Sequence, residues 1–204
     1  MASPVKIFIR TPAATDATFL STTHVYASGA VSMTLGTDAN TATFVASDGL
    51  QAHNITITAT LDYSARTFNV VGVRLDGVTV TEAIVGPNAG TVSGVGVYKS
   101  ISSIYTTANG PTEGLEVGIG RRFAVNGNRV KGISLTLSTD TGTLTLRDGP
   151  TSTGDLVGKF VYPVMPSTVS PLAEEAVPND GFWTPNKLYG HFTSGIKSVR
   201  IKYT

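Results

Sequence analysis

Apolar and polar residues alternate with period two in run after run of this sequence. Turn signals cut the runs about every 8–12 residues. Asn54-Ile55-Thr56-Ile57-Thr58-Ala59 and Thr67-Phe68-Asn69-Val70-Val71-Gly72-Val73 are such runs. Asp76-Gly77 turns the second into Val78-Thr79-Val80-Thr81-Glu82-Ala83-Ile84-Val85, which predicts a hairpin. Side chains on a strand alternate between two faces, so each run buries one face and wets the other. No segment sustains the three-and-four apolar spacing of a helix, so no long helix is expected. Short strands at this spacing close into sandwiches or barrels. The expected fold is all-β: two antiparallel β-sandwich or jelly-roll-like lobes with an N-terminal strand-like arm.

The arm is read as residues 1–29. Val5-Lys6-Ile7-Phe8-Ile9-Arg10 is a short apolar strand, broken by Thr11-Pro12, with a small-residue connector behind it. Such a segment adds to its own sheet, the first expectation here, or to a neighbour's. The first lobe, 30–120, holds further runs at Val31-Ser32-Met33-Thr34-Leu35 and Thr41-Ala42-Thr43-Phe44-Val45, a loop at Gly86-Pro87-Asn88-Ala89-Gly90 and a strand-like stretch over 95–104. The second lobe, 121–204, opens with alternating strands at 132–137 and 143–147, joined at Asp140-Thr141-Gly142. A loop tip follows at 148–154, then a strand at 156–162. Pro163, Pro166, Pro171, Pro178 and Pro185 make the next stretch extended and irregular, with one helical turn expected at Ala173-Glu174-Glu175-Ala176. Strands at 187–192 and 196–203 close the lobe.

The chemistry available is sparse. The chain of 204 residues has no cysteine, which excludes disulfides, thiolate metal sites and cysteine nucleophiles. His24, His53 and His191 lack metal-motif spacing and are expected to be packing or surface residues. Asp48, Asp76 and Asp148 each precede glycine, a pairing that turn backbones explain without catalysis. A glycosidase needs paired carboxylates in an aromatic cleft, and this chain has one tryptophan, Trp183. No enzyme, cofactor or metal is expected. The net charge of +1 gives no broad footprint for nucleic acid, and no apolar run approaches the ~18 residues of a membrane span. Charge is nevertheless uneven. Residues 1–120 carry five bases and eight acids, net −3, and residues 121–204 carry ten and six, net +4. Oppositely biased halves suit head-to-tail self-association.

Two features read as contact surfaces. Arg121-Arg122, Arg129, Lys131 and Lys197-Ser198-Val199-Arg200-Ile201-Lys202 are basic clusters, read either as a charged edge strand or as contacts for an acidic protein surface. Tyr162, Met165, Phe182 and Trp183 bracket the proline-rich stretch and, with Val5, Ile7 and Ile9 of the arm, are the candidate partner-contact residues.

Thr67-Phe68-Asn69-Val70-Val71-Gly72, Thr81-Glu82-Ala83-Ile84-Val85-Gly86-Pro87-Asn88-Ala89, Tyr98-Lys99-Ser100-Ile101-Ser102-Ser103-Ile104 and Leu144-Thr145-Leu146-Arg147-Asp148-Gly149-Pro150 are four further patterned stretches. Together they resemble structural proteins of tailed-bacteriophage virions. The 162–186 insert is longer than that pattern, and Arg121-Arg122 stands where small residues are usual. The resemblance implies a structural, non-catalytic role. The expectation drawn from it is a capsid decoration or cement protein on the phage head, a homotrimer whose partners are itself and the major capsid protein. Its alternatives are a tail, connector or baseplate component, and a carbohydrate or host-receptor binder using Trp183, Tyr189 and His191 as a stacking platform.

Overall fold

The computed structural model describes residues 6–10, 21–25, 31–32, 51–106, 114–126, 129–138, 140–149, 151–162, 172–175, 182–183 and 187–203. Among them every regular element is a strand. In chain order these are β1 (Lys6–Arg10), β2 (Ser21–Val25), β3 (Val31–Ser32), β4 (Gln51–Asp62), β5 (Thr67–Val73), β6 (Thr79–Val85), β7 (Asn88–Ser93), β8 (Ser100–Thr106), β9 (Gly114–Val125), β10 (Arg129–Leu137), β11 (Gly142–Asp148), β12 (Asp155–Tyr162), β13 (Leu172–Glu175), β14 (Phe182–Trp183), β15 (Leu188–Phe192) and β16 (Ile196–Tyr203). Of the strand expected at 31–35 only Val31–Ser32 is described; its remainder, the strand expected at 41–45, Val5 and Met165 lie outside the described residues.

The chain divides into two compact units, one of Ala14–Gly120 and one of Met1–Ala13 with Arg121–Thr204. Each has a core of its own. The residues read as one arm are thus shared out, the first thirteen to the unit that holds the end of the chain.

In the Ala14–Gly120 unit, one sheet runs β3-β8-β5-β6, and the other pairs β7 with β4, β4 with β9, and β2 with the start of β9. The hairpin expected at Asp76-Gly77 is present. Arg74 and Val78 close the turn, Gly77 takes a φ of 84° that side-chain-bearing residues rarely adopt, and Arg74 pairs with Asp76 at 2.6 Å. The alternation of β5 buries Phe68 and Val70 fully. On β8 the inward residues are Ile101 and Ile104, three apart, because the register against β5 shifts between Val71 and Gly72. Ser102 is the extra residue, and its hydroxyl donates to the Val71 carbonyl at 3.0 Å. Ile55, Ile57, Leu115 and Val117 from the facing sheet complete this core.

Two expectations change here. The loop foreseen at 86–90 is only Gly86-Pro87, because Asn88 already pairs with Asp62 on β4. Residues 95–99 are not a strand. They form a loop whose amides at Val95 and Gly96 donate to the Glu82 carboxylate, and the strand begins at Ser100.

In the other unit, one sheet runs β1-β16-β10-β13, with β14 also on β10, and the second runs β12-β11-β15 and the last part of β9. Leu144, Leu146, Leu188 and Phe192 of the second sheet face Ile133, Leu135, Val199 and Ile201 of the first, and all belong to one buried cluster. Each such side chain contributes about 1.5–3 kcal/mol on burial. The short link at 140–142 does not make a hairpin. It carries the chain from β10 to β11 in the other sheet.

β16 is not the edge strand that its charges suggested. It lies between β1 and β10, with Ile9 opposite Arg200 and Ser134 opposite the same residue on the other side. The alternation itself holds, with Val199 and Ile201 buried and Arg200 and Lys202 exposed. The helical turn expected at 173–176 is also replaced. Leu172–Glu175 is strand β13, paired with Ile133 to Thr136, because the open backbone edge of β10 offers a full set of hydrogen bonds.

Candidate functional site

The register of the β12-β11-β15-β9 sheet assembles a basic face that no single stretch of sequence contains. Leu144, Leu146, Leu188, Phe192, Phe123 and Val125 point into the core. The residues between them therefore share the opposite face. Direct cross-strand pairing sets Arg122, His191, Thr145 and Lys159 in one line across the four strands. The neighbouring line is Ala124, Tyr189, Arg147 and Leu156. Strands lie about 4.8 Å apart, so a line spans roughly 14 Å. No carboxylate stands in either line. At the end of the central strands Lys187 adds a further cation, its Nζ donating to Asn126 Oδ1 at 3.3 Å.

Several contacts hold this face in shape. Arg147 donates to the Gly154 carbonyl at 2.9 Å, which ties it to the loop between β11 and β12. Gly190 lies opposite Phe123 in the core layer, and a Cβ there would collide with the ring. The phenylalanine occupies the space that the glycine leaves, and Phe192 packs on it at 6.3 Å between ring centroids. On the outer side, Lys159 is exposed, whereas Arg122, Arg147 and His191 are partly buried. β12 is the end strand of the sheet, and its Leu156 and Val161 are 56% and 61% exposed. Ala124 and Tyr189 of the second line are buried, so the open part of this cationic face is its margin on β12, where Lys159 stands beside Leu156 and Val161.

Two titrating groups on this face are shifted, chiefly by burial. Burial, and then Arg122 and Arg121, push the His191 imidazole below its ordinary value, so it is neutral near pH 7. Burial pushes the Tyr189 phenol up, against the pull of Arg122 and Arg147. A surface of this kind attracts anionic groups and carries a neutral histidine within it. Among the described residues no group of three or more His, Cys, Asp or Glu side chains is placed to hold a metal ion.

The residues singled out from the sequence go elsewhere. Ile7 and Ile9 sit on β1, opposite Lys202 and Arg200 of the same chain. Tyr162 is 8% exposed and belongs to the core cluster, so it packs its own unit and offers little surface to a partner. Phe182 and Trp183 form β14, opposite Val130 and Arg129. Tyr189 is 2% exposed, which removes it from any sugar-stacking platform. His24 is on β2 opposite Leu115, and His53 is buried on β4, bridged through its backbone to Tyr98. Of the basic clusters, Arg122 joins the new face. Arg147, Lys159 and Lys187, scattered in the sequence, were missed. Their signal is the alternation itself, which sets Arg147 against Leu144 and Leu146, and Lys159 against Phe160.

No protein-family model, no curated protein and no solved structure matches the chain.

Proposed function

We propose that this protein is a non-catalytic structural component of a tailed-phage virion, a decoration protein on the head that acts by protein–protein association. The observation that carries this reading is the cationic, apolar-margined sheet face of the Arg121–Thr204 unit. It has the composition of a protein interface rather than of a catalytic cleft: exposed aliphatic residues beside cations, on a scaffold that a closed core keeps rigid. The phage-like motifs point the same way, since Thr81 to Ala89 and Tyr98 to Ile104 build the framework of the other unit. Several modest contacts per homotrimer would raise effective concentration on the repeating lattice of the major capsid protein and brace it.

The test is copy number in purified virions, by quantitative mass spectrometry against the major capsid protein. Hundreds of copies support decoration. A count near three, six or twelve replaces it with a tail or connector part, and absence from virions overturns the virion reading.

A further inference from the structure

The division into units sharpens the charge asymmetry seen in the sequence. Ala14–Gly120 carries three bases against eight acids, net −5. The other unit gains Lys6 and Arg10 with the N-terminal strand, so it carries twelve bases against six acids, net +6. A chain whose total is +1 is therefore two oppositely charged bodies. On the basic one, Arg122, Arg147, Lys159 and Lys187 share one sheet face with no carboxylate in its two lines.

We infer that this face docks the acidic Ala14–Gly120 unit of a second copy of the chain, giving head-to-tail self-association. The inference rests on reading the face as a docking surface, as above. Charge complementarity selects the occupant, because the acidic body is supplied by every copy at equal concentration. The exposed Leu156 and Val161 supply apolar area to the contact. A polyanion such as nucleic acid fits less well: the Tyr189 ring on this face is buried and has no surface for base stacking. A contact between unlike surfaces leaves both signs unused at the ends of a dimer, and only ring closure consumes them.

Sedimentation velocity of the full chain tests this, from about 0.05 M to about 1 M salt, across which the screening length shrinks severalfold. The wild type is expected to self-associate at low salt and to dissociate at high salt. Lys159→Glu is expected to weaken association by about tenfold or more. Lys202→Glu, the same charge change at an exposed site of the other sheet, is expected to leave it nearly unaltered. A monomeric wild type at every salt concentration overturns the inference. So does association that ignores salt, or an equal effect of the two substitutions. Retention of a monomer on immobilised DNA that Lys159→Glu abolishes replaces the second copy with a polyanion. A monomer that still decorates capsids refutes this inference alone, and an oligomer absent from virions refutes the virion assignment alone.

Discussion

The Tyr98 hydroxyl donates to the Glu82 carboxylate at 2.8 Å, and the same carboxylate accepts the amides of Val95 and Gly96. Tyr98 is fully buried, and its backbone is bridged to His53 on β4. One acidic side chain on β6 thereby fixes the loop that leads into β8.

Breaking that clamp costs stability. Glu82→Ala leaves the buried Tyr98 hydroxyl and the Gly96 amide without their acceptor, for a loss of about 3 kcal/mol, and Tyr98→Phe loses about 1.5–3 kcal/mol. Urea denaturation measures both. The double variant is expected to lose less than the two singles together, with a coupling of about 1 kcal/mol or more.

Alkaline pH reaches the same pair. Burial, and then the Glu82 carboxylate, push the Tyr98 phenol well above its ordinary value of 10.0. The folded state holds this proton where the unfolded chain releases it, so the stability it contributes is complete below pH 10 and falls as pH rises beyond. Tyr98→Phe is expected to flatten that fall in denaturation curves recorded across the alkaline range.

Gly190→Ala forces a methyl group onto the Phe123 ring. Overpacking at a core position of this kind costs about 2–3 kcal/mol. Chemical denaturation measures the loss, and Phe123→Leu in the same chain is expected to recover part of it by emptying the contested space.

Acidification acts through His191. Its depressed folded value means that the unfolded chain takes up the proton first. The stability it contributes is present above the ordinary value of 6.5 and is lost as pH falls below that through the folded value. Thermal denaturation from pH 7 downward is expected to show this loss in the wild type and less of it in His191→Gln. An NMR titration is expected to place the imidazole higher in Arg122→Met, which removes the nearer cation.

Much of the fold is legible without coordinates, and particular residues show where that stops. The β5–β6 hairpin follows from alternation on either side of Asp76-Gly77, because its partners are adjacent in sequence. β13 was unreadable, since Ala173, Glu174 and Glu175 favour a helix locally, and only the distant edge of β10 makes them a strand. Lys197 to Lys202 suggested an edge for the same reason: the alternation revealed its faces but not that β1 closes its side. The basic face was hidden more completely. Arg122, Arg147, Lys159 and Lys187 are brought together by pairing register, a property that no one-dimensional pattern holds.

Removing residues 1–10 is expected to act on one unit alone. β16 loses its outer neighbour, and the unit containing Arg121–Thr204 is expected to lose roughly 2–4 kcal/mol through five lost residue pairings. The Ala14–Gly120 unit keeps its own core. Trp183, the single tryptophan, belongs to the first of these, so its fluorescence melt is expected to shift while a second calorimetric transition stays in place.

The pairing of β1 with β16 also sets a schedule. Lys6 meets Tyr203 and Arg10 meets Val199, so β1 waits after leaving the ribosome until about 190 further residues have been made. At about 5–20 residues per second that wait is roughly 10–40 seconds, time enough for the intervening acidic unit to fold first. Throughout it, Lys6–Arg10 is a strand whose place in a sheet does not yet exist. On a polysome, where neighbouring nascent chains are at different lengths, the first completed β16 in reach can belong to another copy, and newborn chains can then be joined through an exchanged strand.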